Sequence, residues 1–275
     1  MALRFSKMHG IGNDFVVLDR RAQPGLPAAD LVRAMADRHT GVGFDQMMVL
    51  EPPRTPGSVG AYRILNADGS EARQCGNGLR CLVAWLHRED PLCGLVQLDG
   101  PAGPVVCEVL ADGRIRAGMG VPGFAPAEVP FVADAEVDAY ELDIDGSPVS
   151  IGIASIGNPH AVLEVDDTAT APVSRLGPAI ERHPRFPQRA NVGFAQVVGA
   201  RAIRLRVFER GVGETLACGS GACAAAAVLL RRGRVASPVA VTLPGGTLEI
   251  DWAGGTAPLS MAGPAAFVFE GTWNP

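Results

Sequence analysis

The feature that most limits what this chain can fold into is that it repeats itself. Cys75-Gly76-Asn77-Gly78 opens the apolar run in QCGNGLRCLVAWL, and Cys218-Gly219-Ser220-Gly221 opens the one in ACGSGACAAAAVLL. Glu71 and Glu214 each stand just ahead of their cysteine. IGNDFVVL from Ile11 returns as IGNPHAVL from Ile156, and VGFDQMMV from Val42 returns as VGFAQVVG from Val192. The three pairs occur in the same order at an offset of roughly 145 residues, the mark of a duplicated unit rather than of chance. A chain of 275 residues is therefore read as two similar domains of roughly 120 to 145 residues each.

Each half has enough apolar residues to bury a core, since 47% of the chain is hydrophobic and 19% charged, well away from the disordered regime. Against 29 acidic residues stand 24 basic ones, with no basic stripe. Nucleic-acid binding has no electrostatic footprint here, and the expected partner is a small molecule. The opening MALRFSKMHG lacks the apolar core of a signal peptide, and Ala222 to Leu230 is too short to span a bilayer, so no membrane association and a cytoplasmic location are expected. Six cysteines without a secretory signal read as reduced thiols. Their spacing argues against zinc, because Cys75/Cys81 and Cys218/Cys223 fall on separated helical faces. No metal and no cofactor are expected.

Period and turn signals place strands at LRFSKMHG, NDFVVLD, FDQMMVLEP and AYRILNA, a helix at ADLVRAMADRH, and a hairpin turning at Asp112-Gly113. The second half retells this with SIGNPHAVLEV, a helical SRLGPAIERH, NVGFAQVV, AIRLRVFER and VAVTLPGGTLEIDW, while the Pro- and Gly-rich VPGFAPAEVPF from Val121 reads as the linker. Each domain is then mostly strands around one principal helix, the one that follows its Cys-Gly-x-Gly. A lone cysteine is usually a small buried hydrophobe. Two at matched helix starts read as reactive, since the first N–H groups and the helix dipole favour thiolate and lower the pKa.

The segments KMHGIGNDFVVLD, GVGFDQ, NADGSEARQCGNGLRC, GNPHAV, NVGF and ERGVGETLACGSGACAAA resemble the diaminopimelate epimerase family. The resemblance implies an α/β (α+β) fold of two pseudo-symmetric domains, each a mixed β-sheet curled around a central helix, facing one another across an active-site cleft. It implies domains at 1-118, with a C-terminal strand at 264-275 returning to them, and at 119-263. It also implies epimerisation of LL-2,6-diaminopimelate to the meso form, in lysine and peptidoglycan precursor biosynthesis.

Inverting an α-carbon without a cofactor requires an acid–base group on each face. Cys75 and Cys218, one as thiolate and one as thiol, would supply them. Two like charges in one small space favour the single-anion form. The N–H groups at Gly76-Asn77 and Gly219-Ser220 suit the carboxylate of the reacting centre, and the glycines would let the backbone approach it closely. Where the repeat is broken, the resemblance assigns His160 and Glu209 to proton transfer beside the cysteines, with Glu209 also at the substrate. Arg210 can hold the distal carboxylate bidentately. By resemblance Asn13, Gln46, Asn66, Asn158 and Asn191 join it around the substrate. Another two-cysteine racemase, resembling proline racemase, and a thiol redox switch are the competing readings, and a homodimer stays open.

Overall fold

The computed structural model describes residues 2–274. The chain divides into two compact units, one running to Gly118 and resuming at Ala262, the other spanning Met119–Met261. The first contains β1 (Leu3–Gly10), β2 (Asn13–Asp19), α1 (Ala29–Ala36), β3 (Gln46–Glu51), β4 (Ser58–Asn66), β5 (Glu71–Ala72), α2 (Gly76–Glu89), β6 (Leu95–Gly100), β7 (Gly103–Val109) and β8 (Ile115–Gly120). Next come β9 (Tyr140–Ile144), β10 (Ser147–Ser155), β11 (Pro159–Glu164), α3 (Val173–Glu181), β12 (Asn191–Gly199), β13 (Ala202–Glu209), β14 (Gly213–Thr215), α4 (Gly219–Arg231), β15 (Val239–Leu243), β16 (Gly246–Asp251) and β17 (Leu259–Gly263). Last is β18 (Ala266–Trp273), which pairs antiparallel with β1.

The first unit is a mixed sheet in the order β18-β1-β2-β3-β4-β6-β7-β8, parallel at β2/β3 and β4/β6 and antiparallel elsewhere. In the second unit β9-β10-β11-β12-β13-β15-β16 repeat the pattern, with β11/β12 and β13/β15 parallel. Small β5 and β14 lie against β4 and β13. The duplication read from the sequence is therefore a duplication of strand order and sense. β18 stands beside β1 as β9 stands beside β10.

Each parallel join is a strand–helix–strand crossover, and such crossovers are right-handed. The two in a unit step the same way across the sheet, but β4 runs opposite to β2. Their helices must then cover opposite faces, which the packing shows. α2 lies on Met8, Phe15, Val17, Met48, Leu50 and Ile64, while α1 lies on Phe5, Val16, Leu18, Met47, Val49 and Leu65. Neighbouring β2 residues thus feed different cores, as strand alternation requires. Each unit thus has one principal helix, α2 or α4, and the shorter helix α1 or α3 on the other face of its sheet. In the second unit α3 packs on Ile151, Ile153, Leu163, Val192 and Phe194. A Cβ on Gly152 would meet Val228 of α4 at 2.5 Å, so α4 lies close on the other face.

Two sequence expectations need adjusting. The helix expected over ADLVRAMADRH stops at Ala36, because Asp37 Oδ1 takes the N–H groups of His39 and Thr40 at 2.8 and 2.7 Å and turns the chain. The segment from Val121 is no free linker: Val129 and Phe131 are buried in the second unit's core, where Phe131 meets Tyr140 edge-on and Phe186 at a tilt. The β9/β10 hairpin went unread. It turns at Asp145-Gly146, both at positive φ, with Gly146 N donating to Asp143 Oδ1 at 2.8 Å. The sequence signal, Asp-Gly between alternating runs, was present.

Candidate active site

Cys75 and Cys218 are the N-cap residues of α2 and α4, each in extended backbone conformation. At Cys75 the Gly78 N–H donates to Sγ at 3.4 Å, so the sulfur takes one of the helix's first unbonded donors. The second glycine of each motif is required by close packing. A Cβ on Gly78 would stand 2.6 Å from Met48 Sδ, and one on Gly221 3.1 Å from Val207 and 3.2 Å from Cys218 Sγ. These glycines seat the helix start on the sheet and so fix where each cysteine points.

Around Cys75 the amides form an ordered line. Asn77 Nδ2 donates to Asn13 Oδ1 at 3.2 Å, Asn13 Nδ2 donates to Asp45 Oδ2 at 2.7 Å, and Asn13 Oδ1 lies 4.0 Å from Cys75 Sγ. Gln46 and Asn66 make a second group. They sit opposite one another on β3 and β4, with Gln46 Nε2 donating to Asn66 Oδ1 at 2.9 Å and Asn66 Nδ2 to Ser70 Oγ at 3.0 Å. An ionic network that sequence reasoning missed supports the line. Asp14 is paired with Lys7 at 2.5 Å and with Arg38 at 2.8 Å, and Arg38 also reaches Asp45 at 2.7 Å. Burial opposes ionisation of Asp14, but hydrogen bonds from Arg38 and Lys7 win and hold its carboxyl well below the usual range. His9 Nδ1 accepts the Gly12 N–H at 3.3 Å.

In the second unit five of the expected residues join into one network. The Cys218 thiol donates to Glu209 Oε2 at 3.3 Å, and Thr215 Oγ1 donates to Glu209 Oε1 at 2.5 Å. Ser220 Oγ lies 3.7 Å from Cys218 Sγ, Asn158 Nδ2 donates to Ser220 at 3.4 Å, and Asn158 Oδ1 faces His160 Nε2 at 2.9 Å. With Nδ2 spent on Ser220, Asn158 offers His160 an acceptor, so His160 carries its proton on Nε2. His160 thus reaches Cys218 through Asn158 and Ser220.

The surroundings of Cys218 decide its charge state. Burial first, then the Glu209 carboxylate, push the Cys218 thiol well above its ordinary pKa, outweighing the Gly221 N–H and the Ser220 hydroxyl. The expectation that a helix start lowers the thiol pKa is overturned at this position, because Cys218 is only 4% exposed and faces a carboxylate.

Arg210 and Asn191 are arranged as follows. Asn191 is buried, accepts the Arg210 N–H at 2.9 Å and donates to the Pro159 carbonyl at 3.4 Å, so its amide fixes the Arg210 turn. Gly211 N donates to the buried Glu181 carboxylate at 2.8 Å, and Arg210 Nη1 rests on the Gln188 carbonyl at 3.0 Å. Glu71 and Glu214 are used elsewhere, each paired with an arginine on the adjoining strand, Arg63 and Arg206. Among the described residues no group of His, Cys, Asp and Glu is placed to hold a metal, and no helix is long and apolar enough to cross a membrane.

One consequence can be read without substrate. Burial, helped by Arg210, pushes His160 down to about 3. A group depressed on folding gives stability that is complete above its unfolded pKa, about 6.5, and is lost as pH falls toward the folded value. Between those limits the unfolded chain binds the proton and the folded one does not, at a cost of about 1.4 kcal/mol per pH unit. Thermal unfolding at stepped pH is expected to show this acid slope, with His160→Gln flattening it. An unchanged slope in the variant would show that His160 is not held neutral.

The family model of diaminopimelate epimerase matches residues 5–125 and 152–268, one segment in each half of the duplication. Diaminopimelate epimerase of Stutzerimonas stutzeri (strain A1501) is 52% identical over 98% of this chain and 99% of its own. That of Xanthomonas campestris pv. campestris is 54% identical over 99% and 96%. Among solved structures, a hydroxyproline epimerase from Agrobacterium vitis aligns with a TM-score of 0.71 at 17% identity, covering 98% of this chain and 92% of that one. A Bacillus anthracis phenazine biosynthesis protein of the PhzF family also gives 0.71 at 17%, over the whole of both chains. At that identity the likeness concerns the fold. Near-complete matches at half identity concern the family, and with paired N-cap cysteines in duplicated mixed sheets they establish that this chain belongs to the diaminopimelate epimerases, a family of isomerases.

Proposed function

We propose that the protein epimerises LL-2,6-diaminopimelate to meso-2,6-diaminopimelate, without a cofactor, with Cys75 and Cys218 as the acid–base groups on the two faces of the α-carbon. The observation that carries this reading is the unequal pair of N-cap cysteines. Cys218 donates its thiol proton to a carboxylate at 3.3 Å, whereas Cys75 faces only the neutral amide oxygen of Asn13, at 4.0 Å. One thiol and one thiolate are what a two-base inversion needs at its start. In the forward reaction one sulfur takes the α-proton, the electron pair moves into the adjoining carboxylate, and the other sulfur delivers its proton to the opposite face. Each turnover leaves the two sulfurs with their protonation exchanged, so the reverse reaction uses them in opposite roles.

The enediolate-like charge falls on the substrate carboxylate, which the N–H groups at Gly76-Asn77 and Gly219-Ser220 receive at the positive ends of α2 and α4. Glu209 takes up and returns the Cys218 proton, and His160 is linked to the same sulfur through Asn158 and Ser220. Arg210 holds the distal carboxylate, and Asn13, Gln46, Asn66, Asn158 and Asn191 surround the substrate or orient the groups that do. The two domains are 1-118 with the returning strand 264-275, and 119-263, each giving one cysteine. The product serves lysine and peptidoglycan precursor synthesis in the cytoplasm. A proline racemase-like substrate is less well supported, since the two relatives named above, at half identity, are diaminopimelate epimerases. A redox switch accounts for neither Arg210 nor the asparagines.

The test is to incubate pure LL-diaminopimelate with reduced protein in D₂O and follow meso formation and deuterium at the α-carbon. Deuterated meso product is expected, and absence of both signals would overturn the reading. We also propose a homodimer. Phe267, Val268 and Phe269 on β18 are 39%, 54% and 48% exposed, an apolar run that a soluble chain ordinarily covers. Light scattering is expected to give twice the mass of the chain, and a monomer mass at micromolar concentration would exclude it.

A further inference from the structure

Among the described residues Arg80 is the largest fully buried side chain, 0% exposed, in the first turns of the helix that Cys75 caps. Its Nη1 donates to Asn77 Oδ1 at 2.9 Å and its Nε to the Pro264 carbonyl at 3.3 Å. Room for it is made by Gly10, where a Cβ would stand 3.0 Å from Nη2. The fold does not demand a guanidinium here. When the two Cys-Gly-x-Gly motifs are aligned, Arg80 falls on Cys223, which is buried at 0% and fills the same place in α4 with a small side chain.

We propose that Arg80 is a positioning residue for Cys75: it sets the direction of the amides that border the sulfur, and its buried positive charge favours the thiolate against the amide oxygen so placed. The inference rests on the assignment of Cys75 as one of the two acid–base groups. Arginine can only donate, so Asn77 must turn Oδ1 toward it and Nδ2 toward Asn13. Asn13 must then accept through Oδ1, which leaves its Nδ2 for the Asp45 carboxylate. The line has a cation at one end and an anion at the other, and reversing any amide would set like atoms against each other at both of its bonds. Asn13 Oδ1 is thereby held toward Cys75, where it can receive the S–H, while the Gly78 N–H stands ready for the thiolate.

The charge of Arg80 acts in the same buried region. Of the other ionisable groups on the packed elements, Tyr62, Cys81 and Cys107 are kept neutral by burial, with both thiols pushed up to about 12. Lys7 and Arg38 are matched by Asp14 and Asp45, and His9 is bonded to Gly12. In the duplicated site the corresponding neighbour is the Glu209 carboxylate, which acts the opposite way on Cys218. A cation under one cysteine and an anion beside the other would set which sulfur starts as base.

The experiment uses full-length enzyme with Arg80→Met, which removes donor and charge, Arg80→Gln, which keeps an N–H donor, and Arg80→Lys, which keeps the charge. Two quantities are measured: kcat and KM for LL-diaminopimelate, and the pH midpoint for carbamidomethylation of Cys75 by iodoacetamide, read by peptide mass spectrometry. Arg80→Met is expected to lower kcat by about 10- to 100-fold with KM changed less, and to raise the Cys75 midpoint by about one unit. Arg80→Gln should recover part of kcat but not the midpoint, and Arg80→Lys the midpoint but not kcat. Should Arg80→Met fail to fold, the other two variants decide by that crossed pattern. A wild-type Cys75 midpoint and kcat in the folded variants would overturn the proposal. The titration reads Cys75 whether or not the enzyme turns over. Full activity in Cys75→Ala, by contrast, would remove the two-base reading on which the proposal rests.

Discussion

Cys75→Ala and Cys218→Ala are each expected to lose epimerisation by about 10³-fold or more, since a missing proton donor on one face of the carbon cannot be replaced from the other. The two variants should fail in different ways. With one base left, the enzyme can still take the hydrogen that faces that base and return it, so deuterium enters one stereoisomer without inversion. Cys75→Ala should therefore wash deuterium into one form of diaminopimelate and Cys218→Ala into the other. Exchange in Cys75→Ala depends on ionising Cys218, which burial and Glu209 hold protonated, so it should need the higher pH. Both proteins should fold. Loss of the Cys75 sulfur removes the acceptor for Gly78 N–H, worth about 1 kcal/mol for an N-cap. Cys93, which is exposed, is the clean control. Cys107 is buried in the first unit's core, so Cys107→Ala should lower stability while leaving turnover intact. Near-wild-type inversion in either active-site variant, or deuterium entering both stereoisomers equally, would end the two-base mechanism.

How much of this was legible in the sequence depended on whether information was local or shared between distant residues. The Cys-Gly-x-Gly starts were readable because a helix N-cap is a local event and occurs twice. The duplicated sheet was readable because three short matches fixed its register. Arg80 was not, since a charged residue within a helical run ordinarily lies on a solvated face, and only the packing shows it buried against Asn77 and Pro264. Asp45 was hidden for the same reason: its partners Asn13 and Arg38 are brought to it by the sheet and a turn. The charge state of Cys218 could not follow from the motif alone. The N-cap geometry is outweighed there by burial and by Glu209, which β13 places 3.3 Å from the sulfur. Asn191 matched a motif around the substrate, yet its amide is committed to the backbone at Arg210 and Pro159.

Glu209→Gln is expected to lower kcat by about 100-fold in both directions, the usual scale for losing a positioned proton-transfer group. The substitution nearly preserves shape, so the argument turns on a single atom. Thr215 Oγ1 donates to Oε1 of Glu209 and Cys218 donates to Oε2. In glutamine the Thr215 bond keeps the carbonyl oxygen on that side, which turns the amide NH₂ toward the sulfur. A donor there favours the thiolate, whereas the native carboxylate disfavours it, so the Cys218 pKa should fall. The basic limb of the kcat/KM profile should move to lower pH with it. Two roles for Glu209 then predict opposite signs. If the carboxylate only restrained ionisation, a more acidic Cys218 would speed the direction in which that sulfur is the base. If it carries the proton to and from the sulfur, both directions slow, because an amide cannot be protonated in its place. Initial rates measured from LL- and from meso-diaminopimelate across pH distinguish the two. A faster reaction in one direction would leave Glu209 as an electrostatic neighbour alone, while slowing in both, with the limb displaced, is the result expected of a proton carrier.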